Sequence, residues 1–186
     1  MRIISGKYRG KKIKYINSLI TRPLRDIVRE NIFNILTHGK NININIEKSN
    51  VLDLYAGVGS FGIECISRNA SKVVFVERNQ IAFSILKENI ASLKLRENVS
   101  LVPSDVNFFL KKNKHHLKFD IIFFDPPYQD DEFINYIKTL KDLNIINKKH
   151  LIIIHREKST KDNFKELINI LFTKKYGRSQ VIFGSF

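Results

Sequence analysis

The apolar positions of this chain follow two different rhythms, and the change from one to the other divides it. Residues 2–16 alternate short apolar pairs with basic residues around Gly6 and Gly10, which predicts a small twisted hairpin. From Leu24 to His38 the apolar residues Leu24, Ile27, Val28, Ile32, Ile35 and Leu36 fall on one face of a helix, with Arg25 and Arg29 off that face. The polar run Thr37 to Asn50, rich in Asn and Lys, reads as a linker. Beyond it, short buried runs alternate with amphipathic stretches of helical length. Val51 to Tyr55, Lys72 to Glu77, Val99 to Pro103, Phe119 to Asp125 and Leu151 to His155 read as strands, and Phe61 to Arg68, Gln80 to Leu95 and Asp131 to Leu143 as helices. Strand and helix alternation of this kind predicts an α/β fold with a mostly parallel sheet covered on both faces. A further helix is predicted from Lys161 to Phe172. The strand-like Gln180 to Phe183, between Gly177 and Gly184, predicts a terminal antiparallel hairpin. The expected division is a basic N-terminal appendage over residues 1–40 and a main domain over residues 41–186.

Composition narrows the functional classes. With 43% apolar and 27% charged residues the 186-residue chain is that of a globular protein. A net charge of +14 favours a polyanionic partner, because Lys and Arg contacts to phosphate release counterions. The basic residues crowd the first thirty positions, where Arg2, Lys7, Arg9, Lys11, Lys12, Arg22, Arg25 and Arg29 make a candidate RNA-gripping surface. Tyr8 among them is expected to pack on its hairpin, with stacking on an unpaired base as the other reading. A single cysteine, Cys65, excludes an internal disulfide and any multi-cysteine metal site, and reads as a small core residue. The five histidines show no ligand spacing, so no metal is assigned. Without a signal-peptide core or a stretch of about 18 apolar residues, a cytoplasmic, membrane-free monomer is expected.

Two motifs carry chemistry. The first runs from Val51 through Asp53, Tyr55, Ala56, Gly57, Gly59 and Gly62: a buried strand, a GxGxxG turn, then a helix. Glycines there allow a tight turn and close approach of a ligand, and Glu77, 20 residues beyond Gly57, is placed to accept hydrogen bonds from ribose hydroxyls. The loop alone leaves a dinucleotide enzyme open. Asp53 tilts the choice, since a carboxylate there would repel a pyrophosphate but could pair with an ammonium group. The pattern Asp53-x-x-Ala56-Gly57-x-Gly59 resembles the first motif of class I S-adenosylmethionine-dependent methyltransferases. Asp105, past the third strand, fits the place where that class reads the adenine amino group. A helix N-cap before Val106 explains Asp105 equally well.

The second motif is Asp125-Pro126-Pro127-Tyr128, at the carboxyl end of a buried strand, where open sheets bind ligands. The amino nitrogen of a nucleobase is a poor nucleophile, because its lone pair is delocalised into the ring. Two acceptors aimed at its hydrogens, the Asp125 carboxylate and the Pro126 carbonyl, would draw it towards tetrahedral geometry. The prolines stiffen those acceptors, and Tyr128 would stack on the base.

Taken together, Arg2-Ile-Ile-Ser-Gly6, Arg9-Gly-Lys11, Arg22-Pro23, Val28-Arg-Glu30, Phe33-Asn-Ile-Leu36, the Asp53 to Glu64 loop and Asp125 to Tyr128 resemble the RsmD-like family of 16S ribosomal RNA guanine-N2 methyltransferases along nearly the whole chain. The resemblance implies a Rossmann-like sheet, S-adenosylmethionine held by Asp53, Gly57, Gly59, Glu77 and Asp105, and a base pocket of Asp125, Pro126 and Tyr128. It also implies a guanine N2 in small-subunit ribosomal RNA as target, presented on a partly assembled particle. The chain departs from the family between Pro23 and Val28. Leu24, Arg25, Asp26 and Ile27 stand there in place of hydroxyl residues before the aspartate and an arginine after it, and Arg25 is a candidate phosphate contact. The alternatives are an adenine-N6 methyltransferase acting on DNA or RNA, and a non-catalytic RNA-binding assembly factor. Glutamine methylation of a protein fits less well, because such enzymes usually carry Asn at the position of Asp125.

Overall fold

The computed structural model describes residues 1–15, 24, 26–40, 42–95, 97–112, 117–160, 162–164 and 166–186. Arg22, Pro23, Arg25, His115 and His116 lie outside the described residues.

The described residues form α1 (Asp26–His38), β1 (Asn50–Leu54), α2 (Ser60–Ser67), β2 (Lys72–Val76), α3 (Gln80–Ser92), β3 (Val99–Val102), α4 (Val106–Lys112), β4 (Phe119–Phe124), α5 (Phe133–Asp142), β5 (Ile146–Glu157), β6 (Asn169–Tyr176) and β7 (Ser179–Ser185). They build one seven-stranded sheet in the order β3-β2-β1-β4-β5-β7-β6. The first five strands of that order run parallel, and β7 is antiparallel to both β5 and β6. Chain order reverses between β1 and β4, so the crevice at the carboxyl ends of those two strands is where this topology binds ligands.

Both faces of the sheet are covered. Val51, Val73, Phe75, Ile121 and Phe123 pack against α1, α2 and α3, while Leu52, Leu54, Ile122, Phe124 and Ile154 pack against α4 and α5. The near-continuous apolar runs of β1, β2 and β4 follow from this double burial. On the first face Phe61 stacks between Phe33 and Phe123, with ring centroids 5.2 and 4.0 Å away.

The N-terminal ribbon closes through an antiparallel bridge between Arg2 and Lys12, and Ile3 and Ile13 join the same core as α1, α2 and α3. It is fastened by side chains of the sheet's own helices. Buried Glu64 accepts from Ile4 N at 2.8 Å and Ser5 N at 3.0 Å, and Ser67 Oγ accepts from Tyr8 N at 3.0 Å. Asn89 accepts from Lys14 N at 2.8 Å and donates to the Lys14 carbonyl at 3.0 Å. Gly6, at φ +82°, lies against the Ser67 carbonyl so closely that a Cβ would collide with it, so glycine is required there.

Three expectations are corrected. Among the described residues of the foreseen helix, Lys161 to Phe172, none is helical: β6 starts at Asn169, and residues 166–167 form a turn. The spacing of Phe164, Leu167, Ile168 and Leu171 mimics a helical stripe, but Phe164 and Ile168 are buried ahead of the strand. Phe172 then stacks on Phe183 of β7 at 4.7 Å, so pairing with β7 overrides the local pattern. In α1 the expected face is turned. Ile27 is 64% exposed, while Arg29 is fully buried and donates to the Arg2 carbonyl at 2.6 Å and to Asp26 at 3.0 Å. Arg29 therefore cannot belong to an RNA-gripping surface. Burial lowers its pKa from the usual arginine range, an effect that Asp26 and Glu64 partly offset. Finally, Leu24 is buried but precedes the helix, which starts at Asp26. No described helix is long and apolar enough to cross a membrane.

Candidate active site

A cavity of about 670 Å³ opens at the carboxyl ends of β1, β2 and β4, where the reversal of strand order puts it. Its walls include Tyr55, Ala56, Gly57, Glu77, Asp105, Asp125, Pro126, Pro127 and Tyr128, so most of the expected site residues meet in one crevice. The volume suits a nucleoside-sized ligand together with a planar base.

On the β1 and β2 side, the turn after β1 uses left-handed backbone at Tyr55, Gly57 and Gly59. A side chain on Gly57 would meet nothing within 4 Å, which leaves its Cα side open to a ligand. Gly59 is different: a Cβ there would press on Leu86, Ile63 and Phe75, and Gly59 is not part of the cavity wall. Its role is to let α2 start against β2 and α3. Glu77, at the end of β2, accepts from Gly57 N at 2.7 Å through one oxygen and from Asn79 N at 2.6 Å through the other. Each oxygen keeps a lone pair, which makes the carboxylate a ready two-point acceptor for vicinal hydroxyls.

Asp53 departs from its expected direct contact. Its side chain is buried behind the wall and accepts from Gly62 N, at the start of α2, at 3.0 Å. Burial raises its pKa well above the usual carboxylate range; the Gly62 hydrogen bond opposes that shift, and the charges of Asp125 and Glu77 add to it. Asp53 thus braces the turn from beneath. A group with a raised folded pKa stabilises least where it must ionise, so the wild type should lose stability as pH climbs from about 4 towards the raised folded value. Asp53→Asn keeps an acceptor for Gly62 N and removes that loss. Thermal melts from pH 5 to 9 should show the variant gaining on the wild type as pH rises, and a constant difference across that range would show that Asp53 does not ionise in the folded protein there.

Asp105 accepts from Phe108 N at 2.8 Å, which caps α4, and its side of the helix start also lines the cavity. Tyr55 donates to Asp130 at 2.9 Å, and burial beside that carboxylate raises its pKa. Tyr136, which also lines the cavity, donates to Glu132 at 2.8 Å and is pushed up to about 12, chiefly by burial.

The Asp125 to Tyr128 segment leaves β4 and turns towards α5. The Asp125 carboxylate, 21% exposed, meets His155 Nδ1 through Oδ1 at 2.8 Å. The Pro127 carbonyl accepts twice, from Asp130 N at 2.9 Å and Arg156 Nη1 at 2.8 Å. Among the described residues no donor reaches the Pro126 carbonyl. One carboxylate oxygen and the Pro126 carbonyl therefore remain as acceptors at this end of the cavity, the pair that polarising an amino group requires.

Comparison with known proteins identifies the family of the chain. The family model described as "Conserved hypothetical protein 95" matches residues 1–185. Ribosomal RNA small subunit methyltransferase D of Haemophilus influenzae is 35% identical over 159 residues, 85% of this chain and 79% of the relative. The chain belongs to this family of methyltransferases. The Escherichia coli K12 protein of the same name is 32% identical over 158 residues, 84% of the chain and 75% of the relative. The solved structure of yhhF from Escherichia coli superposes with a TM-score of 0.83 at 28% identity, covering 99% of this chain and 96% of that one. The sheet is accordingly that of the class I, S-adenosylmethionine-dependent methyltransferases.

The two sequence motifs supply less than half of the cavity wall, and His155, Arg156, Asp130, Tyr136, Tyr176 and Arg178 belong to neither motif and were not foreseen. His155, Asp130, Tyr136, Tyr176 and Arg178 line the cavity, and Arg156 reaches the Pro127 carbonyl from β5. The available signal was position alone: His155 and Arg156 end a buried strand, where polar residues are out of place unless they serve the crevice. Of the hairpin residues, Arg2, Lys7, Arg9, Lys11 and Lys12 are exposed. Lys7 and Lys11 sit 5.5 and 5.2 Å from the half-buried Tyr8 ring, which packs against the core.

Proposed function

We propose that this protein transfers a methyl group from S-adenosylmethionine to the exocyclic N2 of a guanine in small-subunit ribosomal RNA, acting in the cytoplasm as a monomer on an assembling particle. The observation that carries the reading is the acceptor pair at the crevice: an Asp125 carboxylate with one oxygen unclaimed, beside a Pro126 carbonyl that no described donor reaches. The name of the relatives, ribosomal RNA small subunit methyltransferase D, supports the substrate.

The cofactor supplies, when bound, an electrophilic methyl group on a sulfonium centre. Glu77 would take the ribose hydroxyls, the Gly57 turn would carry the chain past the amino-acid portion, and Asp105 would face the adenine. Asp53 acts indirectly, by holding the turn. The open side of Gly57 and the two-point acceptor at Glu77 fit such a ligand. At the other end Asp125 and Pro126 accept the two amino hydrogens. As the nitrogen takes the methyl group it becomes cationic, and the unclaimed Asp125 oxygen is placed to receive its proton. Tyr128 would stack on the base, contributing about 1 to 3 kcal/mol. Pro127 holds the loop through its doubly bonded carbonyl.

Division of labour follows the chain: residues 1–40 grip RNA and residues 41–186 bind cofactor and base, although both share one core. We assign RNA contact to Arg2, Lys7, Arg9, Lys11 and Lys12, with Arg22 and Arg25 kept as sequence-based candidates.

Tritiated cofactor offered to small subunits, free ribosomal RNA and DNA tests the reading, with the labelled nucleoside identified by mass. Label in N2-methylguanosine is expected. Label in N6-methyladenosine would replace the substrate, and calorimetry without cofactor binding would point to a non-catalytic assembly factor.

A further inference from the structure

We propose that His155, supported by Arg156, is the positioning residue that aims the Asp125 carboxylate; this rests on the base pocket described above. Strand register creates the contact. Phe124 of β4 pairs with Ile154 of β5 in parallel, so the next residue of each strand, Asp125 and His155, emerges side by side at the crevice. His155 Nδ1 lies 2.8 Å from Asp125 Oδ1, and the imidazole is 7% exposed. Its Nε2 is buried and, among the described residues, has no hydrogen-bond partner.

That orphan nitrogen fixes the tautomer. A carboxylate oxygen accepts, so Nδ1 carries a hydrogen, and in the neutral ring Nε2 then carries a lone pair. The opposite tautomer would face two lone pairs across 2.8 Å and bury an N–H without an acceptor. An aliphatic or phenyl side chain would fill the same space without leaving a buried nitrogen unsatisfied, so a purely structural role gives no reason for histidine here. What the imidazole adds is a hydrogen bond to one named oxygen. With Oδ1 held, the carboxylate cannot swivel, and Oδ2 alone is presented to the amino group.

Arg156 secures the main chain of the same segment. As the next residue on β5 it projects to the opposite face. Its Nη1 donates to the Pro127 carbonyl at 2.8 Å, while Asp162 holds Nε at 2.8 Å and Nη2 at 3.2 Å, and Phe133 lies 4.5 Å beneath the guanidinium. Two consecutive residues therefore fix the side chain of Asp125 and the backbone two residues on. Preorganisation of this kind matters because a misplaced acceptor must reorganise as charge develops.

The test compares His155→Leu, which has no donor, with His155→Asn, whose amide nitrogen can donate from near the Nδ1 position. In His155→Leu kcat should fall on the order of 100-fold, with KM for RNA and cofactor affinity by calorimetry unchanged. His155→Asn should recover to within roughly fivefold of wild type. Nitrogen-15 NMR of the wild-type imidazole should show hydrogen on Nδ1 and a pyridine-like Nε2, a measurement that requires neither substrate nor a folded Leu variant. Near-wild-type kcat in His155→Leu, equal losses in both variants, or hydrogen on Nε2 would each overturn the proposal. If the wild type labels an amine other than guanine N2, the substrate reading fails separately, and the same kcat comparison on that amine still decides the role of His155.

Discussion

Asp125→Ala should lower kcat by about 10³-fold while leaving S-adenosylmethionine affinity within roughly twofold, because the carboxylate it removes acts on the amino group and not on the cofactor. The separation is physical. Glu77 and the Gly57 turn lie at the ends of β1 and β2, tied to each other by the 2.7 Å bond from Gly57 N, whereas Asp125 is bonded to His155 at the end of β5. Asp125→Asn sharpens the test. Its amide oxygen can still accept from His155, so the segment keeps its shape, but its NH₂ then meets the amino hydrogens with hydrogens of its own. It should be as slow as the alanine variant. Asp125→Asn keeps the acceptor that His155 Nδ1 uses and should leave the fold unchanged, whereas Asp125→Ala leaves that buried donor without a partner and should cost about 1 to 3 kcal/mol of stability. Single-turnover transfer of tritiated methyl, alongside calorimetry, reads both quantities. Near-normal transfer by the asparagine variant would remove Asp125 as the principal acceptor.

The fold was legible where burial is two-sided and local. The runs around Val51, Val73 and Ile121 could only be covered strands, and each lies within a residue of its foreseen bounds. The two chemical motifs were legible for the same reason: each is contiguous, and each follows a strand whose end the topology places at the crevice. Long-range dependence hid the rest. Arg29 reads as a surface cation until the ribbon folds back and lays the Arg2 carbonyl over it. Glu64, in the sequence only the end of the motif loop, anchors Ile4 and Ser5 some sixty positions away. His155 takes its meaning from the β4 to β5 register, which no local pattern encodes. The segment before β6 carries a helical spacing that its strand partner overrules.

Neutralising the ribbon, as Lys7→Ala, Arg9→Ala, Lys11→Ala and Lys12→Ala together, should weaken RNA binding by about 10²-fold near physiological salt and flatten the dependence of log affinity on log salt by roughly 3. Each cation paired with a phosphate displaces counterions and adds about 0.7 to 0.9 to that slope, and the quadruple variant removes four exposed cations. Cofactor affinity should not change, since the ribbon is fastened to α2 and α3 through backbone groups that these substitutions leave in place. Stability should move little, because exposed cations beside the Tyr8 ring contribute only about 0.5 to 1 kcal/mol each. Arg29→Ala supplies the contrast. It removes a buried guanidinium bonded to the Arg2 carbonyl, so it should cost about 2 kcal/mol or more of stability and leave the salt slope as it was. A quadruple variant with an unaltered slope would show that RNA is gripped elsewhere. An Arg29 variant that flattened the slope without lowering its melting temperature would mean that this side chain leaves its buried site to meet phosphate.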